Sequence, residues 1–141
     1  MAPKDPKVAM LAAIPLFANC GGRELEQIAQ LIDEVDVPAG KVLMRQGDHG
    51  DEMFIIGSGS VDIVRNDRLI KQRGAGHTIG EIALLSEGPR TATVTVTEPA
   101  HLFVLGHRQF NSLMDGHPGI RLQILSGLAD RIRLLEADSA H

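Results

Sequence analysis

The middle of the chain limits its fold most. After Pro38, short β-type runs, "KVLMR", "EMFII", "SVDIV" and "RLIKQ", are separated by "QGDHGD", "GSGS", "RND" and "RGAGHT". Aliphatic and β-branched runs punctuated by glycine, asparagine and aspartate predict strands joined by tight turns. Many short strands spaced in this way close into a sandwich or barrel rather than an open parallel sheet. A second β pair follows, with Thr91 to Thr97 alternating and "HLFVL" continuous. Helical spacing brackets this region. Before it, Val8, Leu11, Ile14, Leu16 and Phe17, then Leu25, Ile28, Leu31 and Ile32, predict two short helices broken at "NCGG". After it, the helical period returns from Arg108 onward. The expected fold is α+β and mainly β. An antiparallel β-roll or jelly roll over about 34–106 is flanked by N-terminal helices at about 7–32 and a C-terminal helix pair at about 107–137, with a short helix at 81–85 inside the roll.

With 141 residues the chain is the size of one ordinary domain, so 1–141 is expected to be a single unit with its own core. Hydrophobic residues make up 43% and aromatics only 3%, so that core must be aliphatic. The 14 basic and 18 acidic residues leave a net charge of -4, which gives no general attraction to a nucleic-acid backbone and predicts no nucleic-acid binding by this chain alone. Cys20 is the only cysteine, which excludes an intrachain disulfide, a thiolate zinc cage and a CxxC redox pair, and fits a cytoplasmic location. The early apolar run "VAMLAAIPLFA" is broken by Pro15 and is far shorter than the roughly 20 residues that span a bilayer. It is expected to be a helix end packing on the domain rather than a cleaved signal or a membrane anchor.

The final segment places Leu125, Leu128, Ile132 and Leu135 at spacings of three and four, with Arg131, Arg133 and Glu136 off the stripe. One expectation is that the stripe packs on the chain's own β-roll. The other is a homodimer through the C-terminal helix, limited because only two heptads are visible.

The candidate site lies in "GEIALLSEGPRTATV", Gly80 to Val94. Gly80 permits a tight turn, and "EIALL" contains good helix formers whose first amides have no partner inside the turn. Amides near Ile82 and Ala83 at such a terminus suit an anion, and Arg90 adds a permanently charged planar fork for two oxygens of the same group. An ionised Glu81 accepts hydrogen bonds only, so beside a phosphate it must face a donor, for which a ribose hydroxyl is suitable. A phosphate held by amides and Arg90, joined to a sugar read by Glu81, describes a compact nucleotide.

These residues resemble the cyclic nucleotide-binding domains of catabolite activator proteins, cyclic-nucleotide-dependent kinases and gated channels. "IGEIALLSEGPRTATV" looks like that family's phosphate-binding cassette, and "GKVLMRQGDHGDEMFIIGSGSVDIV" like its preceding strands. The resemblance runs from roughly Leu11 to Ile132. It implies that Glu81 binds the ribose 2'-OH, that Arg90 binds the cyclic phosphate, and that Gly80, Ile82, Ala83, Thr91 and Ala92 line the cassette. Gly47, Gly57 and Gly59 would hold turns of the roll. A hydroxyl at the Thr91 position contacts the phosphate or a guanine amino group in this family, so cAMP and cGMP both stay open, with cAMP favoured. The family's last helix commonly caps the purine. No aromatic is present there, so Leu128, Ile132 or the Arg131 stem would form the lid.

Other readings compete with this one. Glu81 and Arg90 alone would be an ordinary surface ion pair. A domain that keeps the fold and has lost its ligand is another, against which both residues are present. The six histidines, His49, His77, His101, His107, His117 and His141, suggest a cupin metal site, but no HxH pair occurs and no metal is expected. No GxSxG elbow exists, Cys20 has no predicted partner, and no catalytic residues or cofactor are expected. The resulting expectation is a non-enzymatic sensor that signals through its C-terminal helices. A ligand-free interaction scaffold is the alternative. Effector and physiological nucleotide are open, as is whether the chain acts alone or within a larger regulator, since no helix-turn-helix follows the last helix.

Overall fold

A computed structural model describes residues 6–84, 86 and 88–139. The chain has two compact units, Leu31–Asn111 and a second formed by the segments before and after it.

The first unit is the roll. Its strands are β1 (Asp33–Val37), β2 (Val42–Met44), β3 (His49–Gly50), β4 (Glu52–Arg65), β5 (Arg68–Arg73), β6 (Thr78–Ile79), β7 (Gly88–Pro89) and β8 (Thr93–Gly106). A 3-10 turn, Glu81–Leu84, sits between β6 and β7. All pairings are antiparallel. The large sheet runs β1-β8-β4-β5, with β2 joined to β8 and β6 to β4, while β3 pairs with β7. The expected antiparallel roll with helices before and after it in the chain is therefore what forms.

The strand count departs from expectation in an instructive way. "EMFII" and "SVDIV" are not two strands separated by a turn at "GSGS", because β4 continues through it for 14 residues. Likewise the Thr91 to Thr97 segment and "HLFVL" merge into one strand, β8, also of 14 residues. The β4–β8 register shifts between Ile56 and Ser58, Ser58 and Ser60, and Ser60 and Val61, so the glycines relieve a bulged crossing instead of closing a hairpin. A Cβ at Gly57 would lie 2.6 Å from Phe103 Cε2, and one at Gly59, where φ is +91, would lie 2.5 Å from the Pro99 carbonyl oxygen. Gly57 and Gly59 are thus strand glycines, correcting their expected role. Gly47 does occupy a turn, at φ +89 between β2 and β3.

The only tight hairpin with two left-handed residues among the described positions is at Asn66 and Asp67, with φ 51 and 63. That is the pattern of a two-residue primed turn, in which Asn and Asp are tolerated. Gln46 grips it reciprocally: its amide nitrogen donates to Asn66 Oδ1 at 2.8 Å and its carbonyl oxygen accepts from the Asn66 N–H at 2.9 Å. After the exposed Glu52, "MFII" is continuously apolar because Met53, Phe54, Ile55 and Ile56 are all buried, on both faces of β4. From Val61 the burial fades toward the strand end, with Asp62, Ile63 and Val64 half-buried and Arg65 exposed. Phe54, Ile56, Val61, Ile79, Val94, Val96 and Leu102 belong to one buried cluster of the roll, each large side chain contributing about 1.5 to 3 kcal/mol of burial.

The second unit contains α1 (Pro6–Ala12), a 3-10 turn (Pro15–Phe17), α2 (Gly22–Ala29) and α4 (Pro118–Ser139); α3 (His107–Gly116) crosses from one unit into the other. Leu11, Ile14, Leu16, Phe17 and Ile28 are buried with Ile120 and Ile124. Gly127 lets α4 pass close to the first 3-10 turn, since a Cβ there would stand 3.0 Å from the Leu16 carbonyl oxygen. Asn19 donates to Ser126 Oγ at 2.9 Å and to Asp130 Oδ2 at 3.2 Å, fixing the same approach. Cys20 lies just before α2, its thiol pushed up to about 11 by burial and then by Glu24.

The expected apolar stripe of α4 is not its buried face. Leu125, Ile132 and Leu135 are 55%, 55% and 65% exposed, whereas Ile120, Ile124 and Gly127 are packed. Leu122 and Leu134 are also exposed. Apolar residues lie all around this helix, so spacing alone does not select the side that is covered.

Candidate functional site

The cassette is built from three local devices. Gly80 turns the chain at φ +73, in a left-handed conformation that glycine adopts without steric cost. The 3-10 turn that follows is closed by the Ala83 N–H donating to the Gly80 carbonyl at 3.0 Å. That removes the Ala83 amide from the donors expected for an anion, leaving a narrower set than the sequence suggested. At the other end, His107 Nδ1 lies 2.8 Å from the Ala83 carbonyl and 2.9 Å from that of Leu84, and Asn111 donates to Leu84 at 3.1 Å. The carbonyls that the turn cannot satisfy internally are thus met by α3.

Thr78 donates its hydroxyl proton to Glu81 Oε2 across the start of the turn. A carboxylate has about four lone-pair sites, so this bond steadies Glu81 and still leaves acceptor capacity.

Arg90 is held more elaborately. Its N–H donates to the Asp48 carbonyl at 2.7 Å, its own carbonyl accepts from the Gly47 N–H at 2.8 Å, and Nη2 donates to the Glu52 carbonyl at 2.8 Å. Two glycines make room for the guanidinium. A Cβ at Gly50 would land on Nε, and one at Gly80 would lie 2.5 Å from Nη1. Burial pulls the Arg90 pKa down, while the nearby charges of Glu52 and Asp51 push it up. It stays charged at neutral pH, since arginine is not deprotonated in proteins. A partly desolvated cation in a fixed pose is a strong anion partner.

All seven expected cassette positions line one cavity of about 320 Å³: Gly80, Glu81, Ile82 and Ala83 at the turn, and Arg90, Thr91 and Ala92 at the entry to β8. This is the lower end of the ~300–1,000 Å³ typical of small-molecule sites and suits one compact ligand. The three candidate lid residues belong to the last helix, α4. Leu128 is half-buried in α4 and Ile132 is exposed; the Arg131 side chain lies outside the described residues.

Sequence reasoning missed several lining residues, Thr78, Gly50, Met44, Ile63 and Arg65 among them. Two had a legible signal. Thr78 and Glu81 form a T-x-x-E pattern, the signature of a hydroxyl–carboxylate pair opening a turn. Arg65 follows Ile63 by two in a strand and so shares its face. No His, Cys, Asp or Glu cluster with metal-binding geometry occurs among the described residues. No helix of the described residues is long and apolar enough to cross a membrane.

An antiparallel roll whose strand ends and one short turn enclose such a cavity is a small-ligand-binding domain. The chain belongs to the cyclic nucleotide-binding domain family, whose sequence profile matches residues 34–117. It is 38% identical over 111 residues to a cyclic nucleotide-gated potassium channel of Rhizobium etli, covering 79% of this chain and 31% of that protein. It therefore spans about a third of that relative's length. Among solved structures it is similar to the N-terminal domain of a transcriptional regulator from Streptomyces coelicolor A3(2), with a TM-score of 0.83, 27% identity, and 94% and 96% of the two chains covered. It is also similar to the regulatory domain of Toxoplasma gondii PKA crystallised with cAMP, with a TM-score of 0.71, 30% identity, and 79% and 46% covered.

Proposed function

We propose that this chain is a cyclic nucleotide sensor, with cAMP favoured over cGMP, that transmits binding through its C-terminal helices and catalyses no reaction. The observation that carries this reading is the joint placement of Glu81 and Arg90 on one cavity of about 320 Å³, with Gly50 and Gly80 shaped around the guanidinium. Arg90 and nearby amides hold the cyclic phosphate, and Glu81, steadied by Thr78, accepts from the 2'-OH. Thr91 and Ala92 flank the phosphate at the entry to β8. The similarity to a regulatory domain crystallised with cAMP supports the adenine preference. Residues 1–141 act as one binding module in the cytoplasm, bind no nucleic acid by themselves, and use Leu128, Arg131 or Ile132 as the lid.

Signalling follows from linkage: the ligand moves the helices only by as much as it binds one arrangement better than the other. A second reading, an interaction scaffold or a homodimer through α4, is favoured by the exposed Leu122, Leu125, Ile132, Leu134 and Leu135. Calorimetry separates the readings. The sensor binds cAMP at one site and loses about 1.5 to 3 kcal/mol on Glu81→Ala, with its preference for cAMP over 2'-deoxy-cAMP abolished. Silence at millimolar cAMP and cGMP overturns the sensor in favour of the scaffold.

A further inference from the structure

Arg65 is the cation of the cavity to which the phosphate and ribose contacts give no task. It stands at the end of β4, two residues beyond Ile63 and on the same strand face. Its Nε donates to the Thr91 carbonyl at 3.1 Å, which pins the base of the guanidinium beside the cassette. Its two terminal nitrogens have no hydrogen-bond or ion-pair partner among the described residues. Arg90 differs, since its Nη2 is taken by a carbonyl and two acidic side chains lie near enough to raise its pKa. Arg65 thus offers an unused, oriented fork at the cavity wall.

The wall around it is apolar. Ile63 and Val94 are register partners on β4 and β8, and both line the cavity with Arg65. An apolar surface ending in a planar donor fork fits a flat heterocycle with acceptors along one edge. We infer that Arg65 reads the N7 edge of a purine, an assignment that rests on the cyclic-nucleotide reading above. The ring lies over Ile63 and Val94, and the terminal N–H groups meet the edge. Guanine presents N7 and O6 side by side, matching both arms of the fork; adenine presents N7 beside an amino donor and matches one. Pyrimidines have no N7. Arg65 therefore selects purine over pyrimidine cyclic nucleotides and works against the adenine preference, narrowing the gap between cAMP and cGMP.

The test uses calorimetry on the full chain with cGMP, cAMP, cCMP and 7-deaza-cGMP, comparing the parent with Arg65→Ala and Arg65→Lys. Arg65→Ala is expected to weaken cGMP by about 10- to 100-fold and cAMP by about 3- to 10-fold, leaving cCMP unchanged within twofold. The parent should bind 7-deaza-cGMP more weakly than cGMP, and the alanine variant should not distinguish them. Arg65→Lys, which keeps the charge without the fork, should regain only part of the cGMP loss. Equal losses for purine and pyrimidine ligands would show a phosphate contact and overturn the assignment, as would a parent indifferent to N7. The 7-deaza comparison on the parent decides even if a variant folds poorly. A parent that binds none of the four ligands overturns the cyclic-nucleotide reading itself, a result distinct from binding that ignores the base.

Discussion

Two pairs of glycines in the roll differ in what they make room for. Gly57 and Gly59 lie where β4 crosses β8, and a Cβ on Gly59 would meet backbone: the Pro99 carbonyl oxygen at 2.5 Å and Ala100 Cα at 2.7 Å. Gly50 and Gly80 lie against Arg90, and the atoms that their missing side chains spare are chiefly those of one movable guanidinium. The first pair permits the fold, and the second positions a functional group. One residue type thus serves stability at one place and chemistry at another, and the difference is carried by whether the neighbour can give way.

Substitutions should separate the two roles. Gly59→Ala adds a Cβ at φ +91 against backbone that cannot yield, and should destabilise by about 2 to 6 kcal/mol, read as a large drop in melting temperature. A melt within a degree of the parent would mean that the crossing is adjustable.

At the other pair the loss should appear in affinity. Gly50→Ala displaces the guanidinium without needing a positive φ, so stability should change by no more than about 1 kcal/mol while cAMP affinity falls by roughly 30-fold or more, the lower end of the ~2–5 kcal/mol that loss of a desolvated charge contact can cost. In an Arg90→Ala background the same change should do nothing further to binding, since the two act through one group. Additive losses would break the link between Gly50 and Arg90.

Gly76 is the control. It has φ +89, and a Cβ there would meet nothing within 4 Å, so Gly76→Ala should cost about 1 to 2 kcal/mol of stability from backbone strain alone, and leave cAMP affinity unchanged.

The smallest effect concerns the crossing. His101, whose carbonyl lies opposite Gly57, places Nδ1 2.7 Å from Asp36 Oδ1 and Nε2 2.8 Å from Glu34 Oε1, and its pKa is raised by those hydrogen bonds, that to Asp36 first. A raised folded pKa means stability that is full below the unfolded value of 6.5 and fades as pH rises through the folded value. Melting followed from pH 5.5 to 8.5 should show a shallow decline that His101→Gln removes; the pair is solvent-screened, so the slope should be small.

Much of the site was legible because its parts are near neighbours in the chain. Gly80 to Ala92 is one short stretch, so a turn, a carboxylate and an arginine can be read together without knowing which strands pair. Gly50, Ile63 and Arg65 join them only through the β3–β7 and β4–β8 pairings, which are long-range; the i, i+2 spacing puts Ile63 and Arg65 on one strand face but does not say what that face meets. The misread strands have a different cause. Glycine and serine mark turns and bulges alike, so "GSGS" looks like a loop until a partner strand is in place. The acidic "DEVDV" passed unmarked as a strand because it is an edge: β1 pairs only with β8, and four of its five residues are exposed. In α4 the apolar residues surround the helix, and the packed side is chosen by a small residue, Gly127, that a hydrophobic pattern does not register.

The half-buried thiol of Cys20 has a practical consequence. With a pKa of about 11, only about one molecule in ten thousand carries a thiolate at pH 7, and the thiolate is the form that reacts with alkylating reagents. A cysteine introduced at an exposed helical position such as Leu125 would outcompete it by orders of magnitude. The chain is thus ready for site-selective attachment of a spin label or fluorophore with its own cysteine left in place, and helix movement on nucleotide addition becomes a spectroscopic measurement.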